Sequence, residues 1–268
     1  YSKAGDNKFS GIESGGLNGG RVGFKGEEAL GNGLKAVFTY ELGNNSDDNS
    51  AFNQTRQAFV GLAGNFGSLT LGRQYAPSGS YLGATNANDI TSVNPTNLML
   101  GTYFDSLETG GGSRWNNSVS YNSPNWSGFD FRVIYGFGEK VGTDKQTTSS
   151  VLNPKTGVVD LKSSGTGNDY DTSDAGQFGI GARYANGPLY LTAMYQAVQD
   201  NDGANINGNK AWAIGGNYDF KVVKLYANYI RGKTNDVDDS KHTLWSLGLG
   251  IPVSAAGKVN VEYMQHKY

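Results

Sequence analysis

A two-residue alternation runs through this chain from end to end and limits what it can fold into. In Leu34-Lys35-Ala36-Val37-Phe38-Thr39-Tyr40-Glu41-Leu42, apolar or aromatic side chains alternate with polar or small ones. The beat returns in Phe129-Asp130-Phe131-Arg132-Val133-Ile134-Tyr135, in Phe178-Gly179-Ile180-Gly181-Ala182-Arg183-Tyr184 and in Val259-Asn260-Val261-Glu262-Tyr263. Successive side chains of a strand point to opposite faces, so each segment has one oily face and one wet face. The oily faces of a soluble sandwich would meet in a core. Here the other face repeatedly carries Lys, Arg, Glu and Asp, which suits a water-filled lumen better than the margin of a core. The pattern is that of an outer-membrane, transmembrane antiparallel β-barrel.

Composition agrees with an all-β reading. The chain has 268 residues, 40 Gly, only 6 Pro and no Cys, with 12% aromatics. That length suits one large barrel domain over 1–268, and nothing in it resembles an interdomain linker. No apolar run of about 18 residues occurs, which excludes a transmembrane helix. A mean hydropathy of −0.48 is no argument against a membrane, because half of each barrel strand faces water. Absence of Cys fits export through an oxidising compartment. No charged segment followed by an apolar one opens the chain, so any export signal is expected to have been removed. A net charge of −2 excludes a strongly basic nucleic-acid binder as the default, and no nucleic-acid partner is expected.

The alternation predicts twelve strands, near 18–28, 33–43, 53–64, 67–75, 114–123, 128–138, 175–186, 188–200, 209–220, 222–232, 241–252 and 257–268. Short turns such as Gly64-Asn65-Phe66-Gly67 and Asn186-Gly187-Pro188 alternate with long polar loops at 44–52, 76–113, 139–174, 201–208 and 233–240. Strict alternation gathers the two size classes on opposite rims, as in barrels with short periplasmic turns and long outer loops. The 76–113 loop, about 38 residues without a strand pattern, is too long for a mere connector. It carries Tyr81, Leu82, Leu98, Leu100, Tyr103 and Phe104, and is expected to fold inward and dock on the wall. The 139–174 loop is rich in Gly, Ser, Thr, Asp and Lys and is expected to be mobile and exposed.

Several segments resemble the general porins of Gram-negative bacteria, closest to the betaproteobacterial and neisserial group. They are Gly20-Arg21-Val22-Gly23-Phe24-Lys25-Gly26-Glu27, Leu30-Gly31-Asn32-Gly33-Leu34-Lys35-Ala36 and Arg56-Gln57-Ala58-Phe59-Val60-Gly61-Leu62. Gly67-Ser68-Leu69-Thr70-Leu71-Gly72-Arg73-Gln74 and Asn117-Ser118-Val119-Ser120-Tyr121-Asn122-Ser123-Pro124 continue the series. The resemblance implies a sixteen-stranded barrel, a homotrimer, and a third loop folded into the pore, here 76–113. Against that pattern the opening strand and the last three strands are expected to be missing, with 1–17 read as an outer loop. Passive diffusion of small hydrophilic solutes and ions follows by resemblance, with outer-membrane lipid and lipopolysaccharide as surroundings. The alternatives are a substrate-specific channel for organic anions or peptides, and an outer-membrane barrel enzyme or adhesin.

Parity assigns the lumen charges. With Val22, Phe24, Phe59, Val119 and Tyr121 facing lipid, Arg21, Lys25, Arg56 and Arg114 face inward. The same rule sends Lys35, Arg132, Arg183, Lys224 and Lys258 inward, against Glu41, Asp130, Asp219 and Glu262. By resemblance, Arg21, Arg56 and Arg114 form the basic cluster of a pore constriction, faced by Asp105 and Glu108 of the inward loop, with Asp89 a weaker choice. Cations outnumber carboxylates in this set, which predicts an anion preference. The plainer reading is that these Arg residues pair with loop carboxylates to hold the loop. Arg73 shares the parity of Leu69 and Leu71 and so faces outward. Two explanations stand: a trimer-interface pair with Asp47 or Asp48 of a neighbour, or a place at the strand's outer end in water.

Other chemistry finds little support. Acidic clusters at Asp47-Asp48, at Asp169, Asp171 and Asp174, and at Asp236, Asp238 and Asp239 offer oxygen ligands for Ca²⁺, but none has EF-hand spacing and solvated loop charge is the default. No other cofactor is expected. The only His residues are His242 and His266, and no Gly-x-Ser-x-Gly elbow occurs, so no catalytic residues are assigned. The aromatics of the oily face, such as Phe38, Tyr40 and Trp212, read as lipid contacts. Tyr190 and Tyr226 point inward and are candidates for solute contacts.

Overall fold

A computed structural model describes residues 2–4, 7–9, 18–45, 47, 52–88, 94–98, 113–138, 140–141, 147–152, 159–164, 170–171, 176–198, 207–235, 241–255 and 257–267. Twelve strands form one antiparallel sheet. They are β1 (Gly20–Gly31), β2 (Leu34–Asn44), β3 (Phe52–Gly64), β4 (Gly67–Tyr75), β5 (Arg114–Asn122) and β6 (Phe129–Gly136). The second half is β7 (Gln177–Asn186), β8 (Leu189–Val198), β9 (Asn207–Asp219), β10 (Lys224–Asn235), β11 (Lys241–Pro252) and β12 (Lys258–Lys267). Each strand pairs with its neighbours in sequence, from β1 at one edge to β12 at the other. Strand limits fall within a few residues of those the alternation predicts. The sequence reading missed three short antiparallel pairs, Ser2–Ala4 with Asn7–Phe9, Lys140–Val141 with Tyr170–Asp171, and Thr147–Leu152 with Val159–Ser164. Thr147–Leu152 is all Thr, Ser, Val and Leu, with β-propensity but no polar–apolar beat to betray it.

One face of the sheet is an apolar surface that no other described residue covers. Phe24 is 71% exposed, Val60 60% and Tyr263 60%, and Phe38, Leu71, Phe129, Ile180, Leu191, Trp212, Ile214 and Leu247 are exposed beside them. Register places these residues opposite one another, for example Phe38 with Val60 and Trp212 with Tyr195. A monomer in water rarely exposes contiguous apolar patches beyond a few hundred Å². In a bilayer the same belt is the favourable surface, and the paired ladders satisfy the backbone. No helix among the described residues is long and apolar enough to cross a membrane, so the crossing is made by strands.

The inner face is built from two materials. Polar side chains line part of it, including Thr70, Gln74, Ser118, Ser120, Thr192 and Asn217. Toward the long-loop rim of β8 to β11 it turns apolar: Met194, Val198, Ala211, Ala213, Ile230 and Leu244 cluster around Leu82. Leu82 belongs to the 76–113 segment, whose helical turn Ser78–Leu82 and following turn Gly83–Thr85 lie on this face. The oily inner patch is therefore the seat of a docked loop. Tyr81 and Leu82 are buried, whereas Leu98 is exposed; Leu100, Tyr103 and Phe104 lie outside the described residues. Most of 139–174 also lies outside them, as do the side chains of its strands.

Candidate functional site

The docked segment crosses the wall strand by strand. Arg132 on β6 donates to Ser80 Oγ at 2.8 Å, and the Tyr81 hydroxyl donates to Asp130 Oδ1 at 3.3 Å. The Tyr190 hydroxyl on β8 donates to the Tyr81 carbonyl, and Asn217 on β9 to the Ala84 carbonyl. Asn228 on β10 donates Nδ2 to the Thr85 carbonyl at 2.7 Å and accepts at Oδ1 from the Thr85 hydroxyl. On β12, Glu262 Oε2 accepts from the Asn88 backbone N–H at 3.1 Å. These bonds satisfy loop backbone groups that would otherwise be buried unpaired. Close approach is possible because glycines face the segment. A Cβ on Gly179 would stand 2.8 Å from Pro77 and from Trp115, and one on Gly181 2.5 Å from the Tyr81 ring. Gly248 is filled in the same way by the methyl of Ala87.

A second centre lies on β2 to β5. Arg56 donates Nε to Glu41 Oε1 at 2.6 Å and a terminal nitrogen to the Tyr75 hydroxyl at 3.0 Å. Arg114 donates to the same hydroxyl at 3.0 Å and lies 4.6 Å above the Tyr75 ring. One phenol thus joins two guanidinium groups, of which Glu41 neutralises only one. Arg114 Nε is buried without a hydrogen-bond partner among the described residues. Both Arg residues arrive by way of bulges, and this corrects the parity argument. Glu41 pairs with Gln57 but Leu42 with Thr55, so Arg56 is an extra residue opposite Glu41. Two residues then face one, and the alternation shifts by a step. Phe59 accordingly pairs with Thr39 and Gly72 on the inner face, not with lipid as parity has it. A second irregularity separates Gly72–Ser118 from Gln74–Trp115, with Asn117 in the left-handed region at a φ of 41°. Trp115, buried against Ala76 and Ile134, takes the inner position that strict alternation denies it, and Arg114 stands opposite Tyr75 at the strand end.

The remaining candidates are placed as follows. Arg21 is exposed on β1 opposite Gly43, and no hydrogen bond ties it to the Arg56–Arg114 pair among the described residues. Lys25 lines a cavity of about 620 Å³ with Gln57, Phe59, Thr70, Gln74 and Arg132. Lys35 pairs with Glu27 at 2.7 Å, both exposed. Arg183 faces Asp130 across the β6–β7 ladder and donates to it at 2.8 Å. Arg132 and Asp130 share the inner face of β6, both buried. Lys224 lies opposite Asp219, and Lys258 opposite Pro252. Arg73 is held within its own chain by the Thr55 carbonyl and Asn116 Oδ1. Asp47 is exposed. Asp48, Asp89, Asp105 and Glu108 lie outside the described residues, as do Asp169, Asp174, Asp236, Asp238 and Asp239. Among the described residues no cluster of three or more His, Cys, Asp or Glu side chains could hold a metal ion. Sequence reasoning missed Tyr75, the hinge of the basic pair, and Gln74, since neither is charged; only their place between Arg73 and the long loop could have drawn attention.

A lipid-facing apolar belt around a polar interior, with a long loop docked inside, can be compared with known proteins. The family model of Gram-negative porins matches residues 1–268. The chain belongs to that family. Outer membrane porin protein 32 of Delftia acidovorans is 30% identical over 97% of this chain and 68% of its own length. An outer membrane porin protein of Bordetella pertussis is 31% identical over 91% of this chain but only 57% of its own. Among solved structures, the anion-selective porin from Comamonas acidovorans superposes with a TM-score of 0.74 at 26% identity, covering 96% of this chain and 71% of that one. The chain thus spans 57% to 71% of the lengths of these relatives. Family membership places this porin in the outer membrane of a Gram-negative bacterium as a transmembrane antiparallel β-barrel wall.

Proposed function

We propose that this porin lines a water-filled channel for passive diffusion of small hydrophilic solutes and ions, with a preference for anions. One observation carries the charge preference. Half-buried Glu41 and buried Asp130 on the inner wall are engaged by Arg56 and Arg183, and against the remaining Glu262 stand Lys25, Arg114 and Arg132, which have no carboxylate partner among the described residues. Fixed positive charge in a low-dielectric wall concentrates anions and is screened by salt. Resemblance to a structure named as an anion-selective porin supports the same sign. Arg56 and Arg114, joined at Tyr75, form the basic side of the narrow part in this reading, with Arg21 nearer the edge and Asp105 and Glu108 on the opposing loop. The alternation of charge across a narrow water path would orient dipolar solutes. No enzymatic role is assigned.

Reversal potentials in a KCl gradient across a planar bilayer test the proposal. Anion preference that declines with salt is expected; cation preference would overturn it. Assembly as a homotrimer in contact with lipid and lipopolysaccharide completes the reading, with Arg73, Asp47 and Asp48 at the subunit boundary. Heat-modifiable oligomer bands are expected, and Arg73→Ala is expected to weaken them. Because Arg73 already has partners in its own chain, unchanged bands in that variant would remove it from the boundary.

A further inference from the structure

Arg132 lines two cavities, and among the described residues no carboxylate pairs with it. Its Nε donates to Ser120 Oγ at 2.8 Å, one terminal nitrogen to Ser80 Oγ at 2.8 Å and the other to Gln74 Oε1 at 3.0 Å. All three acceptors are neutral. A guanidinium carries five N–H groups, so two remain beyond these bonds. Asp130, two residues away on the same face, is already engaged by Arg183 at 2.8 Å, by Asn125 Nδ2 at 3.2 Å and by the Tyr81 hydroxyl. Tyr81 cannot supply the missing negative charge. Burial, and then the Asp130 charge, raise its pKa above the ordinary phenol value and keep it a neutral donor. Arg132 is only 8% exposed, and burying a charge without a counter-charge is costly.

Beside it lies a cavity of about 290 Å³ lined by Ser80, Tyr81, Asn125, Asp130, Arg132 and Arg183. Asn125 belongs to the short β5–β6 turn, so this space lies on the short-turn side of the docked helical turn. A water molecule takes about 30 Å³ in the liquid, so the space suits a small hydrated ion and falls below the usual range for drug-sized ligands. We infer that this cavity is a subsite for a small oxyanion of the phosphate or carboxylate class, held by Arg132 and Arg183. Ser80 and Asn125 offer further polar contacts, and Asp130 sets the affinity by competing for Arg183. The inference deepens the channel reading and rests on it for how the anion reaches the site.

Isothermal titration of inorganic phosphate, and separately of acetate, into the detergent-solubilised protein in chloride-free buffer tests it. Saturable heat is expected with at least one of the two, and the one that binds names the class. Arg132→Gln is expected to weaken binding about tenfold, as loss of a charge-assisted contact does. Asp130→Asn is expected to tighten it, because it frees Arg183. Mere loosening of the loop would move both variants in the same direction. No saturable heat, equal affinity in Arg132→Gln, or weakening in both variants overturns the inference. Conductance in KCl alone, measured in a bilayer, judges the channel reading independently of these heats.

Discussion

The inner faces of β1 to β5 and of β6 to β12 follow the same alternation yet are different surfaces. On the first, Lys25, Gln57 and Phe59 border an open cavity, and Arg56, Glu41, Tyr75 and Arg114 form a hydrogen-bonded chain. On the second, glycines and asparagines receive a loop, and Leu82 sits in a pocket of Met194, Val198, Ile230 and Leu244. Inward therefore does not mean wet. Half the wall is made to be covered, and its apolar inner residues behave as a small core. Exposed Lys25 and half-buried Arg114 belong to the open half, where water can solvate them.

The largest effect should come from filling the glycine track. Gly181→Leu with Gly248→Leu would place side chains where the Tyr81 ring and the Ala87 methyl now lie. Overpacking of this kind costs about 1–3 kcal/mol per site. The expected outcome is a displaced loop, seen as a severalfold rise in single-channel conductance and new protease cleavage within 76–113. Unchanged conductance would break the contrast between the covered and open halves.

On the open half the next effect is electrostatic. Arg56→Ala strands the Glu41 carboxylate, whose side chain is only 19% exposed, at a cost of about 1–3 kcal/mol. It also turns a neutral pair into a net negative charge, so anion preference should fall. Adding Glu41→Ala should restore the preference close to that of the unaltered protein, because the pair is neutral. Arg114→Ala, by contrast, removes a cation with no carboxylate partner among the described residues and should lower the preference without rescue. If all three variants share one reversal potential, the basic pair lies off the ion path.

Strands were legible because period two survives over whole segments, and the outer belt shows it unbroken from Leu69 and Leu71 to Leu247 and Leu249. Facing was illegible at Phe59 and Trp115. A bulge adds one residue without changing the composition, so alternation counted from either side gives opposite answers. The loop's seat was hidden for a different reason: Met194 and Ile230 look like interior residues of any strand until a partner is known. Because the chain has no Cys, single cysteines report facing directly. Phe59→Cys should react with a membrane-impermeant thiol reagent, and Val60→Cys should be protected by lipid. The reverse result would restore simple parity and remove the bulge at Arg56.

The smallest effect concerns pH on the covered half. Tyr81 donates to Asp130, and burial followed by that carboxylate's charge raises its pKa. A phenol whose pKa is raised on folding contributes stability that is fully present below its unfolded value, about 10. That contribution is lost as pH rises through the folded value, since the unfolded chain releases the proton first. Loop docking should therefore be indifferent to pH through the neutral range and weaken only in alkali. Tyr81→Phe removes one neutral donor, worth about 1 kcal/mol, and should abolish the part of the alkaline weakening that belongs to this phenol. Conductance followed from pH 7 to pH 11 in both proteins measures the difference. A Tyr81→Phe profile that superposes on that of the unaltered protein at alkaline pH would show that the Asp130 contact does not hold the loop.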